Sequence, residues 1–243
     1  MLFRAQSLSR PRLCGSATAL YMMTQKQADI PGAAEAAARG SYPLDPAGAS
    51  GGPDTDDNGG RLIGYDRRLN TWHAPFIMAG VNAPVVRKSA ALLNYGAGCR
   101  YAEVMAAPSL GKAVGAVAGL VVGGIALLLP PVRALLFRFG VLPKPGEGPS
   151  KEMRETGHFH MYTYAEGRGR HDARVVAHVR SGDAGDPGYK ATARMAIEAA
   201  LCIALQREAC AAGGVLTPAS ALGLTLVERL RASGMSLSAG PLH

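Results

Sequence analysis

From Ala113 to Leu129 the chain runs AVGAVAGLVVGGIALLL, seventeen residues without a polar or charged side chain. A run like this has two homes: the interior of a folded domain or contact with lipid. As a helix it would be about 26 Å long, slightly short of a ~30 Å hydrocarbon core. Gly115, Gly119 and Gly123 recur every fourth residue, the spacing that lets two helices approach closely. A Pro130–Pro131 stop follows, then VRALLFRFG, in which Val132, Leu135, Leu136 and Phe139 share one helical face beside Arg133 and Arg138. An apolar wedge with basic edges suits a bilayer surface or a lipid monolayer, and equally a partner protein. On the lipid reading the contacts are Val114, Leu120, Ile125, Leu128, Leu135 and Phe139.

At 243 residues the chain can form one large domain or two small ones with a sizeable core. Its net charge of +8 is spread among acidic residues, and aromatics make up only 6%. Without a basic helix carrying interleaved aromatics, no nucleic-acid partner is expected. An anionic lipid surface, or a phosphate-bearing cofactor held by a partner domain, accounts for the charge as well. Cys14, Cys99, Cys202 and Cys210 lie far apart with no CxxC pair, so neither a zinc site nor a disulfide framework is expected. Before Asp29 the chain holds Arg4, Arg10, Arg12 and Lys26 and no acid, the composition of a mitochondrial transit segment. The alternative is a reading frame begun at an internal methionine.

Residues 1–60, with SGGPDTDDNGG near their end, read as a low-complexity segment outside the folded unit. The folded domain is expected over 61–235, leaving 236–243 as a tail. Asn82-Ala83-Pro84 looks like a helix start with Asn82 as cap and Val85, Ser89, Leu92 and Leu93 inward; Tyr101 to Met105 looks like a strand. His158–Ala165 and Arg174–Arg180 alternate as two strands of a hairpin. Asp186-Pro187 and Thr217-Pro218 each place a capping oxygen before a proline, predicting two more helices. In the first of these, Lys190, Arg194, Glu198, Cys202 and Gln206 form a single polar stripe, expected to face solvent while the apolar remainder is buried. The fold class is α+β, an antiparallel or mixed sheet covered by helices, with an apolar Gly-rich helix and no Rossmann domain.

No GxGxxG turn stands between a strand and a helix, so this chain is expected to hold no dinucleotide itself. No Walker loop, nucleophile elbow or HExxH pair occurs. His158 and His160 share one side of a strand, with His178 available across from them, but no fourth ligand is evident and no metal is expected. No catalytic constellation is complete.

Four co-linear blocks resemble the saccharopine dehydrogenase-like oxidoreductases: WHAPFIMAGVNAPVVRKSAALLNYG at 72–96, PGEGPSKEMRETGHF at 145–159, DPGYKATARMAIEAALCIAL at 186–205 and GGVLTPASALGLTLVERLRASGM at 213–235. That group includes trans-acting enoyl reductases, which reduce a carbon–carbon double bond in lipid precursors for glycolipid synthesis. The resemblance implies an NAD(P)-binding Rossmann domain followed by a substrate domain, which in eukaryotic members contacts lipid droplets or membranes. This chain corresponds to the second part only. The implied partners are a membrane or lipid-droplet surface and a nucleotide-binding domain from a partner or a missing N-terminus. The implied location is membrane or lipid droplet, with mitochondrion or cytoplasm as alternatives. A non-enzymatic lipid-surface or scaffold module anchored by 113–139 is the rival reading. Within the blocks, Asn82, Arg87, Lys88, Glu147, Ser150 and Tyr189 are the candidate substrate contacts.

Overall fold

The two alternating stretches do pair: strand β5 (His160–Glu166) runs antiparallel to β6 (Arg174–Arg180), with Tyr162 opposite His178 and His160 opposite Arg180. They belong to a seven-stranded sheet in a computed structural model that describes residues 2–7 (backbone only), 38, 40, 42–46, 62–67, 70–96, 99–139, 148–167 and 173–241. The other strands are β1 (Leu2–Ser7), β2 (Gly64–Asp66), β3 (Thr71–Pro75), β4 (Arg100–Ala107) and β7 (Ser236–Pro241), and the order is β2-β3-β4-β1-β5-β6-β7. β1 joins two antiparallel halves, parallel to β4 on one side and antiparallel to β5 on the other. A sheet with one parallel pair is α+β, not a doubly wound Rossmann sheet.

The outer boundaries differ from the sequence expectation. Leu2–Ser7, set apart with 1–60, is the strand that joins the halves, and Ser236–Pro241, expected as a tail, pairs along β6. Strand pairing is a long-range property: neither LFRAQS nor SLSAGP carries a strong alternation of its own. The SGGPDTDDNGG segment lies outside the described residues.

Helices α1 (Ala79–Leu92), α2 (Leu110–Leu128), α5 (Lys190–Leu205) and α6 (Pro218–Ala232) cover one face. Two shorter helices, α3 (Pro130–Arg138) and α4 (Lys151–Thr156), complete the set. Successive strand residues face opposite sides, so Tyr101, Met105, Met161 and Val179 meet the helices. Phe159, Ala184, Ala191, Leu230 and Met235 form one buried cluster; Ala74, Ala107 and Ala113 form another where α2 begins.

α1 starts earlier than expected. The amides of Val81 and Asn82 both donate to the Met78 carbonyl, so Asn82 lies inside the first turns and is not the cap, and Pro84 is internal. The inward face is correspondingly Ala83, Ser89 and Ala90 with Val86, while Val85, Leu92 and Leu93 are exposed. α6 begins as expected at Thr217, whose hydroxyl accepts from the Ser220 amide while the Ser220 hydroxyl accepts from the Thr217 amide. Its Leu222, Leu226 and Leu230 point inward.

Asp186 caps, but four residues before the first residue of its helix. Its carboxylate accepts from the amides of Gly188, Tyr189 and Lys190. A Cβ on Gly157 would lie 2.8 Å from the Asp186 Cα, so this close approach requires glycine.

The apolar run is helix α2, capped by the Ser109 hydroxyl, and it is not a core helix. Only Ala113 is buried; Val114, Val121, Val122, Ile125 and Leu128 are exposed, and Leu120 is half-buried. By length and composition α2 is the one helix among the described residues fit to cross a membrane. It touches the sheet through its first turns, where Ala113 sits against Ala74 and Ala107 with Trp72, Ala116 and Val117 around them. Substituting Ala113→Leu should overpack this contact and cost about 1–3 kcal/mol, read as a lower urea midpoint with an unchanged slope. An unchanged midpoint would show that α2 is not docked there.

Candidate functional site

Strand β4 carries one acid among apolar residues, YAEVM, and alternation turns it toward the helices. Glu103 is 6% exposed. The Asn82 side-chain amide on α1 donates to both of its oxygens, at 3.1 and 3.0 Å. Burial pushes the Glu103 carboxyl above its usual range, and the Asn82 hydrogen bond offsets part of that rise. Burial, and then the neighbouring Glu103 charge, also push the Tyr101 phenol up.

Above this pair opens a cleft of about 260 Å³ lined by Gly80, Ala83, Pro84, Arg87, Glu103 and Val104, with Gly40 and Pro43 at its edge. Arg87 projects from α1 toward β4. Its Nη2 donates to the Tyr101 carbonyl at 3.3 Å, and its guanidinium lies 5.3 Å from the Tyr42 ring centroid. A cation and a buried acid with a raised pKa therefore share one concave surface. Such a pair can hold the carbonyl or anionic end of a ligand and keep a proton beside it.

The structure brings together only some of the expected contacts. Arg87 lines the cleft and Asn82 bonds its Glu103, but neither Asn82 nor the half-buried Lys88 is among the lining residues. Ser150 caps α4, its hydroxyl accepting from the Met153 amide. The Tyr189 ring lies beside Gly148, where a Cβ would meet it at 3.5 Å. Ser150 and Tyr189 thus flank one loop, apart from the Asn82–Glu103 pair. Glu147 lies outside the described residues. Of the lipid contacts, Val114, Ile125, Leu128, Leu135 and Phe139 are exposed and Leu120 half-buried. Arg133, expected to reach phosphates, donates instead to the Leu127 carbonyl at the end of α2.

Glu103 was missed in the sequence, although a lone acid inside a predicted strand was a usable signal. The His158 and His160 ring centroids lie 5.9 Å apart with the rings tilted, but His178 lies opposite Tyr162, and among the described residues no three His, Cys, Asp or Glu cluster to hold a metal. Of the described helix starts, that of α5 follows Gly182, Gly185 and Gly188, but the Asp186 carboxylate already takes the amides of Gly188, Tyr189 and Lys190. The turns into α1 and α2 carry Phe76-Ile77-Met78 and Pro108-Ser109 in place of a glycine-rich cradle, and Gly115, Gly119 and Gly123 lie within a helix.

No family model and no solved structure matches the chain. It is 42% identical over 200 residues to a Mycobacterium tuberculosis protein carrying the name trans-acting enoyl reductase, covering 76% of this chain and 45% of that protein. A trans-acting enoyl reductase of Mycobacterium ulcerans is 38% identical over 187 residues, covering 71% of this chain and 42% of that protein. One from Mycobacterium bovis is 39% identical over 181 residues, covering 68% and 40%. The chain spans less than half the length of these relatives, and over most of its own length it is related to proteins named trans-acting enoyl reductases.

Replacing Asn82→Ala should leave the buried Glu103 carboxyl without this donor, costing about 1–3 kcal/mol and raising its pKa further. A raised carboxyl pKa gives stability that is full below the unfolded-state value and lost as pH rises through the folded-state value. Thermal melts should therefore show wild type losing stability relative to Glu103→Gln as pH rises from below the ordinary carboxylate range through the raised Glu103 value. Parallel pH profiles for the two proteins would contradict the site.

Proposed function

We propose that this chain is the substrate-binding part of an enoyl-reductase-like oxidoreductase of the saccharopine dehydrogenase-like kind, acting on lipid or glycolipid precursors. The observation that carries this reading is the similarity over three quarters of the chain to relatives named for enoyl reduction. A nucleotide-binding domain, from a partner or from sequence beyond this chain, supplies the NAD(P) site. The chain's own contribution is binding and proton control. Arg87 orients the polar end of an enoyl substrate at the cleft, and Glu103, whose carboxyl pKa burial raises, is the group there that can exchange a proton with it. The uncovered α2 with the exposed Leu135 and Phe139 of α3 supports a second property, docking on a membrane or lipid droplet. If that property stands alone, the chain is a lipid-surface module without catalysis.

Calorimetric titration of the purified chain tests the two readings. An α,β-unsaturated acyl-coenzyme A should bind saturably without nicotinamide nucleotide, and Arg87→Ala should weaken it about tenfold, the loss of one charge-assisted hydrogen bond. NADPH added to the chain alone should give no saturable signal. Absence of thioester binding, or tight NADPH binding, overturns the substrate-domain reading. In liposome flotation, Val122→Glu with Leu128→Glu should abolish co-flotation without unfolding; full flotation of that variant removes the lipid-docking reading.

A further inference from the structure

The sheet face turned away from the helices carries a cluster of hydrogen-bond donors that the Glu103 cleft does not use. Its position follows from Phe159, which is buried in the helix-side core. The Phe159 amide donates to the Ser181 hydroxyl and the Ser181 amide to the Phe159 carbonyl, both at 3.2 Å. Alternation then turns the residues on either side, His158 and His160, to the opposite face, where their ring centroids lie 5.9 Å apart. The ladder register sets Arg180 of β6 opposite His160, and Ser236 of β7 opposite Arg180. One rung on, the Tyr162 and His178 rings meet edge to face with centroids 4.5 Å apart. His160 is half-buried, whereas His158 and Arg180 are open to solvent.

Acids around the cluster are engaged elsewhere. Glu166 pairs with Arg174, Glu155 with Lys190, and Glu198 with Arg229, which turns the polar stripe of α5 inward instead of to solvent as expected. The Asp186 carboxylate takes three backbone amides. Among the described residues no carboxylate, that of the nearby Asp183 included, pairs with His158, His160 or Arg180. On its other side β5 meets β1, whose register places Gln6 opposite Tyr162 and Arg4 opposite Tyr164. Burial, then the Arg180 and His158 charges, hold the His160 imidazole below its usual range. Like charges opposite one another across a ladder repel, and an anion between them removes that cost.

We propose that His158, His160 and Arg180, with Ser236 at their edge, form a binding site for the phosphate group of a ligand. The donor set selects this chemistry. Two imidazoles and a guanidinium present donors in different planes, which suits the free oxygens of a tetrahedral phosphate ester. A carboxylate offers only two oxygens in one plane. Binding is coupled to protonation: a dianion beside His160 favours its imidazolium, so affinity falls as pH rises through the imidazole range. The site lies on the opposite face of the sheet from Glu103 and apart from α2. It stands whether or not the chain takes part in enoyl reduction.

The test is NMR of the imidazole ring carbons of the purified chain, assigned with His158→Gln and His160→Gln, during titration with inorganic phosphate at constant ionic strength. The two signals should move to saturation with one dissociation constant, and the His160 titration midpoint should rise in saturating phosphate. Arg180→Gln, with unchanged circular dichroism, should weaken binding about tenfold, the loss of a charge-assisted contact. Sulfate, whose charge is constant over this range, should bind about tenfold more tightly at about pH 6 than at about pH 8. Shifts that rise without saturating, an affinity unchanged in Arg180→Gln, or sulfate binding independent of pH each overturns the proposal. Once phosphate binding is established, vesicles distinguish its source. Flotation on phosphatidic acid in phosphatidylcholine above that on phosphatidylcholine alone, with the excess lost in Arg180→Gln, identifies a lipid headgroup; equal flotation identifies a soluble phosphate ester.

Discussion

One amide holds the centre of this structure. Glu103 sits on β4, the strand flanked by β3 and β1, and faces a helix layer with almost no water. A carboxyl in that position is costly to ionise and costly to leave unbonded. Asn82 resolves both by donating to each oxygen, and it can do so only from inside α1. That contact joins α1 to β4 beneath the cleft that Arg87 lines, beside the Ala83–Tyr101 packing and the Arg87 bond to the Tyr101 carbonyl.

The same device recurs through the helix layer. The zero-exposure core positions are largely alanines, Ala74, Ala113, Ala184 and Ala191, and such side chains set contact distance but little direction. Direction comes from buried polar pairs. The Ser89 and Thr217 hydroxyls lie 2.7 Å apart and tie α1 to the cap of α6; Glu198 and Arg229 tie α5 to α6; the Phe159 amide donates to the Ser181 hydroxyl and anchors the start of β5. Bonds like these are worth little net when made, yet each leaves a buried orphan when broken, so they specify one arrangement more than they add stability.

What could be read from the sequence was what is local. The alternation of HMYTYAE and RVVAHVR was sufficient for the hairpin, and Thr217-Pro218 for the start of α6. The inward side of a helix was not. Periodicity identified the Lys190–Gln206 stripe, but only α6, supplying Arg229, determines that the stripe faces in. β1 and β7 were invisible for a related reason, since their strand character comes from the ladders on either side. In the site, Arg87 was legible as a cation on a helix, whereas Glu103 needed the knowledge that its strand is covered. The apolar run left two homes open, and among the described residues only its docking turns lie in the core while the rest is exposed.

The account rests on a desolvated, Asn82-bonded acid at the cleft floor, and the most direct measurement is the carboxyl carbon of Glu103 followed by ¹³C NMR across pH, assigned by its loss in Glu103→Gln. The prediction is a midpoint above those of the solvent-exposed glutamates, moving higher still in Asn82→Ala. A Glu103 resonance that titrates together with the exposed carboxylates would contradict it.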